Sequence, residues 1–192
     1  MRWVAMYSRT GSELVQVSMI LRRYPDLVLT DTHSCMENLQ LLQKFSGRLI
    51  HSSNVSDLFK RLESVLRSAQ YVKDEGLIVT LHGFLHIIPP QLCELADGCI
   101  FNGHPGLITE YPELKGLNPQ KRAWESRYPR IGAVLHQVTA EVDSGRIVME
   151  RALDNYNYTT LDALFGDLHD ISVTMWSSFL ERLFSHDCIR LS

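Results

Sequence analysis

Leu77-Ile78-Val79-Thr80-Leu81 reads LIVTL, an apolar run broken by one hydroxyl. A continuous run of this kind is the mark of a central parallel strand buried on both faces. Upstream, Asn54 or Ser56 can cap a helix in which Leu58, Leu62, Val65 and Leu66 recur every three to four residues. Before it, Leu49 to His51 reads as a short strand and Met36 to Phe45 as a helix carrying Leu39, Leu41, Leu42 and Phe45. Leu27 to Leu29 is another short strand, set off by the Tyr24-Pro25-Asp26 stop. Arg2 to Tyr7 (RWVAMY) is a first strand, and Ser8 to Ser12 turns into a helix striped by Leu14, Val15, Met19, Ile20 and Leu21.

Downstream of LIVTL, Pro89-Pro90 opens a helix through Leu95, Pro being well suited to a helix start. Cys99 to Phe101 is a further buried strand, and a Gly/Pro-rich loop runs from Gly103 to about Pro119. Ile131 to Val138 and Ile147 to Leu153 read as strands flanking the turn Asp143-Ser144-Gly145. Thr160 to Phe184 is one long amphipathic helix. Strands alternating with helices imply βαβ units, so the expected class is α/β: an open, mostly parallel twisted sheet flanked by helices, with a long carboxyl-terminal helix. Ligands of such sheets bind beyond the carboxyl ends of the strands. That points to the turn after Tyr7 and the loops after Leu81 and Phe101.

The 192 residues carry 19 Lys+Arg, 22 Asp+Glu and a formal charge of −3, with 45% apolar residues. This length fits one domain over residues 1–192, able to bury about 70% of its unfolded surface without disulfides or metal. The near-neutral balance argues against nucleic acid as a partner. No apolar run approaches the ~18 residues of a membrane span, and no basic-then-apolar stretch opens the chain, so neither membrane nor export is expected. Cys35, Cys93, Cys99 and Cys188 form no Cys-x-x-Cys pair and read as reduced, mostly buried thiols of a cytoplasmic protein. His82 and His86, four apart, straddle a strand end and a Gly rather than one helix face, so no metal site is expected. No Gly-x-Gly-x-x-Gly follows Tyr7, which speaks against a nicotinamide-binding domain.

Two stretches carry chemistry. Asn102-Gly103-His104-Pro105-Gly106 follows a buried strand. An Asn amide can donate to a developing oxyanion, and an imidazole can pass protons near neutral pH. His136-Gln137-Val138-Thr139-Ala140-Glu141-Val142-Asp143-Ser144-Gly145 ends a strand in a turn bearing two acids. Taken singly, each is also ordinary turn chemistry.

Together, in this order, they resemble the folate-dependent formyltransferase family, whose Asn-x-His-Pro motif precedes a His-x-Val-x(4)-Asp-x-Gly segment. Tyr111-Pro112, the Gly116-to-Trp124 stretch and the Leu81-to-Pro90 segment extend the likeness, which runs from Tyr7 to about Glu150. The resemblance implies a formyltransferase-like, Rossmann-related sheet and 10-formyltetrahydrofolate as formyl donor, with no metal. It implies Asn102, His104 and Asp143 as catalytic residues. Folate would lie against Phe84, Leu85, His86 and Ile88, with Thr139, Glu141 and Val142 along its pterin edge. Arg9, Gly11, Ser12, Glu13 and Gly106 would face the acceptor amine.

Gly106 stands where Ser is common in the family, and Glu13 where glycinamide-ribonucleotide formyltransferases carry Asn beside the substrate phosphate. A carboxylate there would repel an anion. The spacing of Gly116, Pro119, Arg122 and Ala123 is closer to the methionyl-tRNA and amino-sugar enzymes. The carboxyl-terminal domain of the tRNA enzymes is not expected here. The expected reaction is therefore formyl transfer to a small-molecule amine, a sugar or nucleotide amine above the others, by a monomer or homodimer. The alternatives are a formyltetrahydrofolate hydrolase and a non-catalytic folate-binding module on the same fold.

Overall fold

The computed structural model describes residues 1–32, 45, 47–71, 76–155 and 158–189. The helix expected from Met36 to Phe45 lies outside the described residues except for Phe45, as does Cys35. Among the described residues, seven strands form one sheet in the order β3-β2-β1-β4-β5-β6-β7. They are β1 (Arg2–Tyr7), β2 (Leu27–Thr30), β3 (Leu49–His51), β4 (Leu77–His82), β5 (Ile100–His104), β6 (Arg130–Gln137) and β7 (Ile147–Asp154). The helices are α1 (Ser12–Leu21), α2 (Val55–Tyr71), α3 (Pro90–Ala96), α4 (Pro119–Glu125) and α5 (Leu161–Ile189). β3 through β5 pair in parallel, and β6 and β7 are antiparallel to their neighbours. The chain steps outward from β1 to β2 and β3, then returns to β4 on the other side of β1, which puts a topological switch point between β1 and β4.

The sheet is covered on both faces, and strand periodicity sorts its residues between them. Trp3, Ala5, Tyr7 and Ile78 pack with Leu14 and Val15 of α1 and with Met175, Trp176 and Leu180 of α5. Val4, Met6, Val79 and Leu81 pack with Leu58, Leu62 and Leu66 of α2 and with Leu92 and Ala96 of α3. Thr80 falls between Val79 and Leu81, on the α1/α5 face. There its hydroxyl accepts the Trp3 indole N–H at 2.8 Å. The one polar residue of LIVTL is thus a satisfied core hydroxyl. Leu29, wholly buried in β2, tests this packing. Leu29→Ala is expected to cost about 2–5 kcal/mol of stability in urea unfolding, the range for deleting a buried Leu side chain.

Helix starts follow local chemistry. The Asn54 side chain accepts the Ser56 N–H at 3.0 Å, so Asn54 rather than Ser56 caps α2. Thr160 accepts the Ala163 N–H at 3.3 Å ahead of α5. β5 extends beyond the expected Cys99–Phe101 to His104, because β6 runs antiparallel beside it and pairs Asn102 with His136 and His104 with Val134. Asn102 and His104 are therefore held in a strand rather than in the loop that follows. That loop contains a 3₁₀ turn at Pro112–Leu114.

Candidate active site

At the carboxyl ends of β1, β4 and β5 lies a cavity of about 530 Å³, well within the size of small-molecule sites. Asn102, His104 and Asp143 all line it. Its apolar wall includes Phe84, Leu85, Ile88 and Val138, and its rim His86, Thr139 and Val142. Arg9 reaches it from the turn after β1. Among the expected site residues, Gly11, Ser12, Glu13, Gly106 and Glu141 are not part of the lining.

The carboxylate of Asp143 organises the polar end. Asp143 adopts a left-handed backbone conformation with φ of 50°, which Asp tolerates better than most residues. Its Oδ2 accepts the Gly116 N–H at 2.8 Å and lies 3.2 Å from His104 Nδ1. Its Oδ1 lies 3.4 Å from His136 Nε2. Lys115 Nζ donates to Ser144 Oγ at 2.6 Å, so the 115–116 loop is fastened to this turn at two points. Burial acts to raise the Asp143 pKa, but the neighbouring His136 ring, the His104 charge and the Gly116 N–H outweigh it. The carboxyl is held below its ordinary value.

His104 stands between two acceptors, Asp143 Oδ2 and the Leu114 carbonyl, which lies 3.0 Å from Nε2. A neutral ring has one N–H for these two acceptors, and only the imidazolium satisfies both. Burial nevertheless dominates and holds the His104 pKa below its ordinary value, against the pull of Asp143 and Leu114. The ring is thus neutral-leaning at rest and built to receive a proton. Gly106 packs directly on it: a Cβ there would lie 3.0 Å from His104 Nε2 and 2.8 Å from Pro119 Cβ. A Ser at this position would crowd the imidazole.

A model described as formyl transferase matches residues 27–178. The chain belongs to the formyl transferase family. Within the family it is 30% identical over 100 residues to the trifunctional purine biosynthetic protein adenosine-3 of Chironomus tentans, over 52% of this chain and 7% of that protein. It is 30% identical over 112 residues to the methionyl-tRNA formyltransferase of Thermotoga neapolitana, over 58% of this chain and 34% of that one. The chain therefore spans well under two thirds of these relatives. Among solved formyl transferases, the phosphoribosylglycinamide formyltransferase of Streptococcus pneumoniae TIGR4 superposes with a TM-score of 0.78 at 20% identity, over 96% of this chain and 99% of that one. That of Anaplasma phagocytophilum gives 0.77 at 23%, over 93% and 84%. At these identities the likeness speaks for the fold.

Three features of this family member escaped the sequence reading. Glu13, expected to face an acceptor, turns inward instead. Its Oε1 lies 2.7 Å from His82 Nδ1, and its Oε2 accepts the Ser172 hydroxyl at 2.6 Å. His86, kept from a metal role, pairs with Asp31 at 2.8 Å. His136 lines the cavity beside Asn102. Its place in the quoted motif was the available signal, while its partners were set by strand pairing. No group of three metal-ligating side chains occurs among the described residues.

The Glu13 carboxyl has a consequence for stability. Burial acts to raise its pKa, but the hydrogen bonds from His82 and Ser172 and the charges of His82 and His169 reverse the effect and hold it below 4.5. A carboxyl with a lower pKa folded than unfolded stabilises the fold above its unfolded pKa. That contribution is lost as pH falls through the folded value. Glu13→Gln is expected to flatten the acid-side loss of stability below about pH 4.5, measured as urea midpoints across pH. An unchanged acid profile would show that the pairing contributes nothing.

Proposed function

We propose that this chain transfers a formyl group from 10-formyltetrahydrofolate to the amine of a small-molecule acceptor, a sugar or nucleotide amine. The single observation that carries the reading is one cavity bringing an amide donor, a proton-holding imidazole and an ionised carboxylate together. A flat heterocycle with polar edges suits a wall of Phe84, Leu85 and Ile88 facing the Thr139–Asp143 turn. The reduced folate supplies a formyl group on a nitrogen that leaves once it gains a proton.

The protein's own groups supply the rest. The Asn102 amide N–H donates to the formyl oxygen as that oxygen gains charge. Asp143 takes the proton that the attacking amine must lose, directly or through His104. His104, with acceptors at both nitrogens, holds that proton and releases it toward the departing nitrogen. The net result moves one formyl group one way and one proton the other. Glu13 engages His82 and Ser172, so it does not stand as a bare charge against an anionic acceptor. Arg9 at the cavity supplies a cation for a phosphate or carboxylate.

The test is incubation of the full chain with 10-formyltetrahydrofolate and a panel of amines, read as a mass gain of one formyl group. Sugar and nucleotide amines are expected to exceed glycinamide ribonucleotide and aminoacyl-tRNA in kcat/KM. Turnover of glycinamide ribonucleotide at ~10⁴ M⁻¹s⁻¹ or above would overturn that acceptor order. No product from any amine, with no reduced-folate binding by calorimetry at millimolar concentration, would overturn the reading itself.

A further inference from the structure

His136 stands opposite Asn102 in the β5–β6 ladder, and only 2% of it is exposed. Its Nδ1 lies 2.7 Å from the Gln137 carbonyl oxygen. A carbonyl only accepts, so the proton on Nδ1 is fixed there. In the neutral ring Nε2 is left with a lone pair. That lone pair meets Asn102 Nδ2 at 3.3 Å, and an amide nitrogen only donates. The pairing therefore settles which way round the Asn102 amide sits. Nε2 also lies 3.4 Å from Asp143 Oδ1. A proton on Nε2 would be drawn to that carboxylate and would meet the amide N–H head on. Protonation of Nε2 and the hydrogen bond from Asn102 exclude one another.

We propose that His136 is a positioning residue of the formyl-transfer site, whose Nε2 holds the Asn102 amide with its nitrogen set to donate to the reacting oxygen. The inference rests on the formyl-transfer reading above. The amide nitrogen carries two hydrogens. His136 holds one and leaves the second for the oxygen that gains charge. With the amide turned over, its own oxygen would face that charge and repel it. The groups facing His136 are Asp143 from the β6–β7 turn, His104 of β5 with its ring centre 6.5 Å away, and the Asn102 amide itself.

The experiment is a double-mutant cycle on the full chain, with His136→Leu and Asn102→Ala. His136→Leu is expected to lower kcat roughly 10–100-fold, at or below the 10²–10³ loss for removing an oxyanion donor outright, with both KM values within about threefold. His136→Gln, whose carbonyl oxygen can accept the same N–H, is expected to recover most of that loss. Added to Asn102→Ala, His136→Leu is expected to cost nothing more. Losses that multiply, or a His136→Gln no better than His136→Leu, would overturn the proposal. Nitrogen NMR of the imidazole supplies a readout that needs no turnover. An acceptor-type Nε2 at neutral pH, altered in Asn102→Ala, is the expected result. A donor-type Nε2 in an active wild type sinks the proposal alone. A wild type that formylates no amine sinks the function reading, whatever the NMR shows.

Discussion

Asn102→Ala is expected to lower kcat for formyl transfer by roughly 10²–10³, the loss seen when one oxyanion donor is removed. That corresponds to about 2.7–4 kcal/mol of barrier. The KM values for folate and amine are expected to change little. The formyl oxygen becomes a strong acceptor only as the amine adds, so the interaction is made chiefly in the transition state. The substitution is also mild for the fold. Asn102 is half-buried on β5, and among the described residues its side chain pairs with His136 Nε2. Next to it, Gly103 has no room for a side chain, since a Cβ would lie 2.8 Å from Trp176 Nε1. Trp176 therefore supports the strand from the α5 side and holds position 102 in place whatever its side chain. The check is steady-state kinetics beside an unfolding curve. A kcat loss under threefold with unaltered stability would remove Asn102 from the chemistry.

The sheet was legible because its signals are local. LIVTL, RWVAMY and the stops at Tyr24-Pro25-Asp26 and Pro89-Pro90 each mark an element without reference to the rest of the chain. The reach of β5 was not legible from composition. Gly103 reads as loop, yet β6 pairs along Asn102 and His104 and keeps both in the ladder. The proposed catalytic trio was legible only through motif resemblance, because Asn102 and Asp143 are forty-one positions apart and nothing in periodicity brings them together. Glu13 was legible as a residue but not as a geometry. Its direction depends on His82 at the end of β4 and Ser172 on α5, both far away in sequence. His82 and His86 lie four apart but straddle a strand end, so their spacing alone argued for no shared ligand. Each takes its own carboxylate, Glu13 for His82 and Asp31 for His86, and neither partner was readable from spacing.

Asp143→Asn is expected to lower kcat by about 10²–10⁴, the range for losing a positioned acid–base group, and to shift the His104 titration downward. The carboxylate makes three contacts, and the amide can replace one of them. The Asn oxygen can still accept the Gly116 N–H that Oδ2 accepts at 2.8 Å. The amide cannot accept the amine's proton, and it presents no charge to the imidazole 3.2 Å away. The direction of the titration follows from the balance at His104. Burial already holds that ring below its ordinary pKa of 6.5, and Asp143 is the main group pulling it back up. With the carboxylate gone, burial and the nearby Arg122 and His136 act against less opposition, so the imidazolium becomes harder to form. In the wild type, Asp143 itself stays ionised well below neutrality, its pKa lying under 3.8. The His104 ring protons, followed by NMR across pH, should therefore titrate at lower pH in Asp143→Asn than in the wild type. A titration that stays put or moves upward would mean that Asp143 does not stabilise the charged ring, and the proton path through this pair would fall with it.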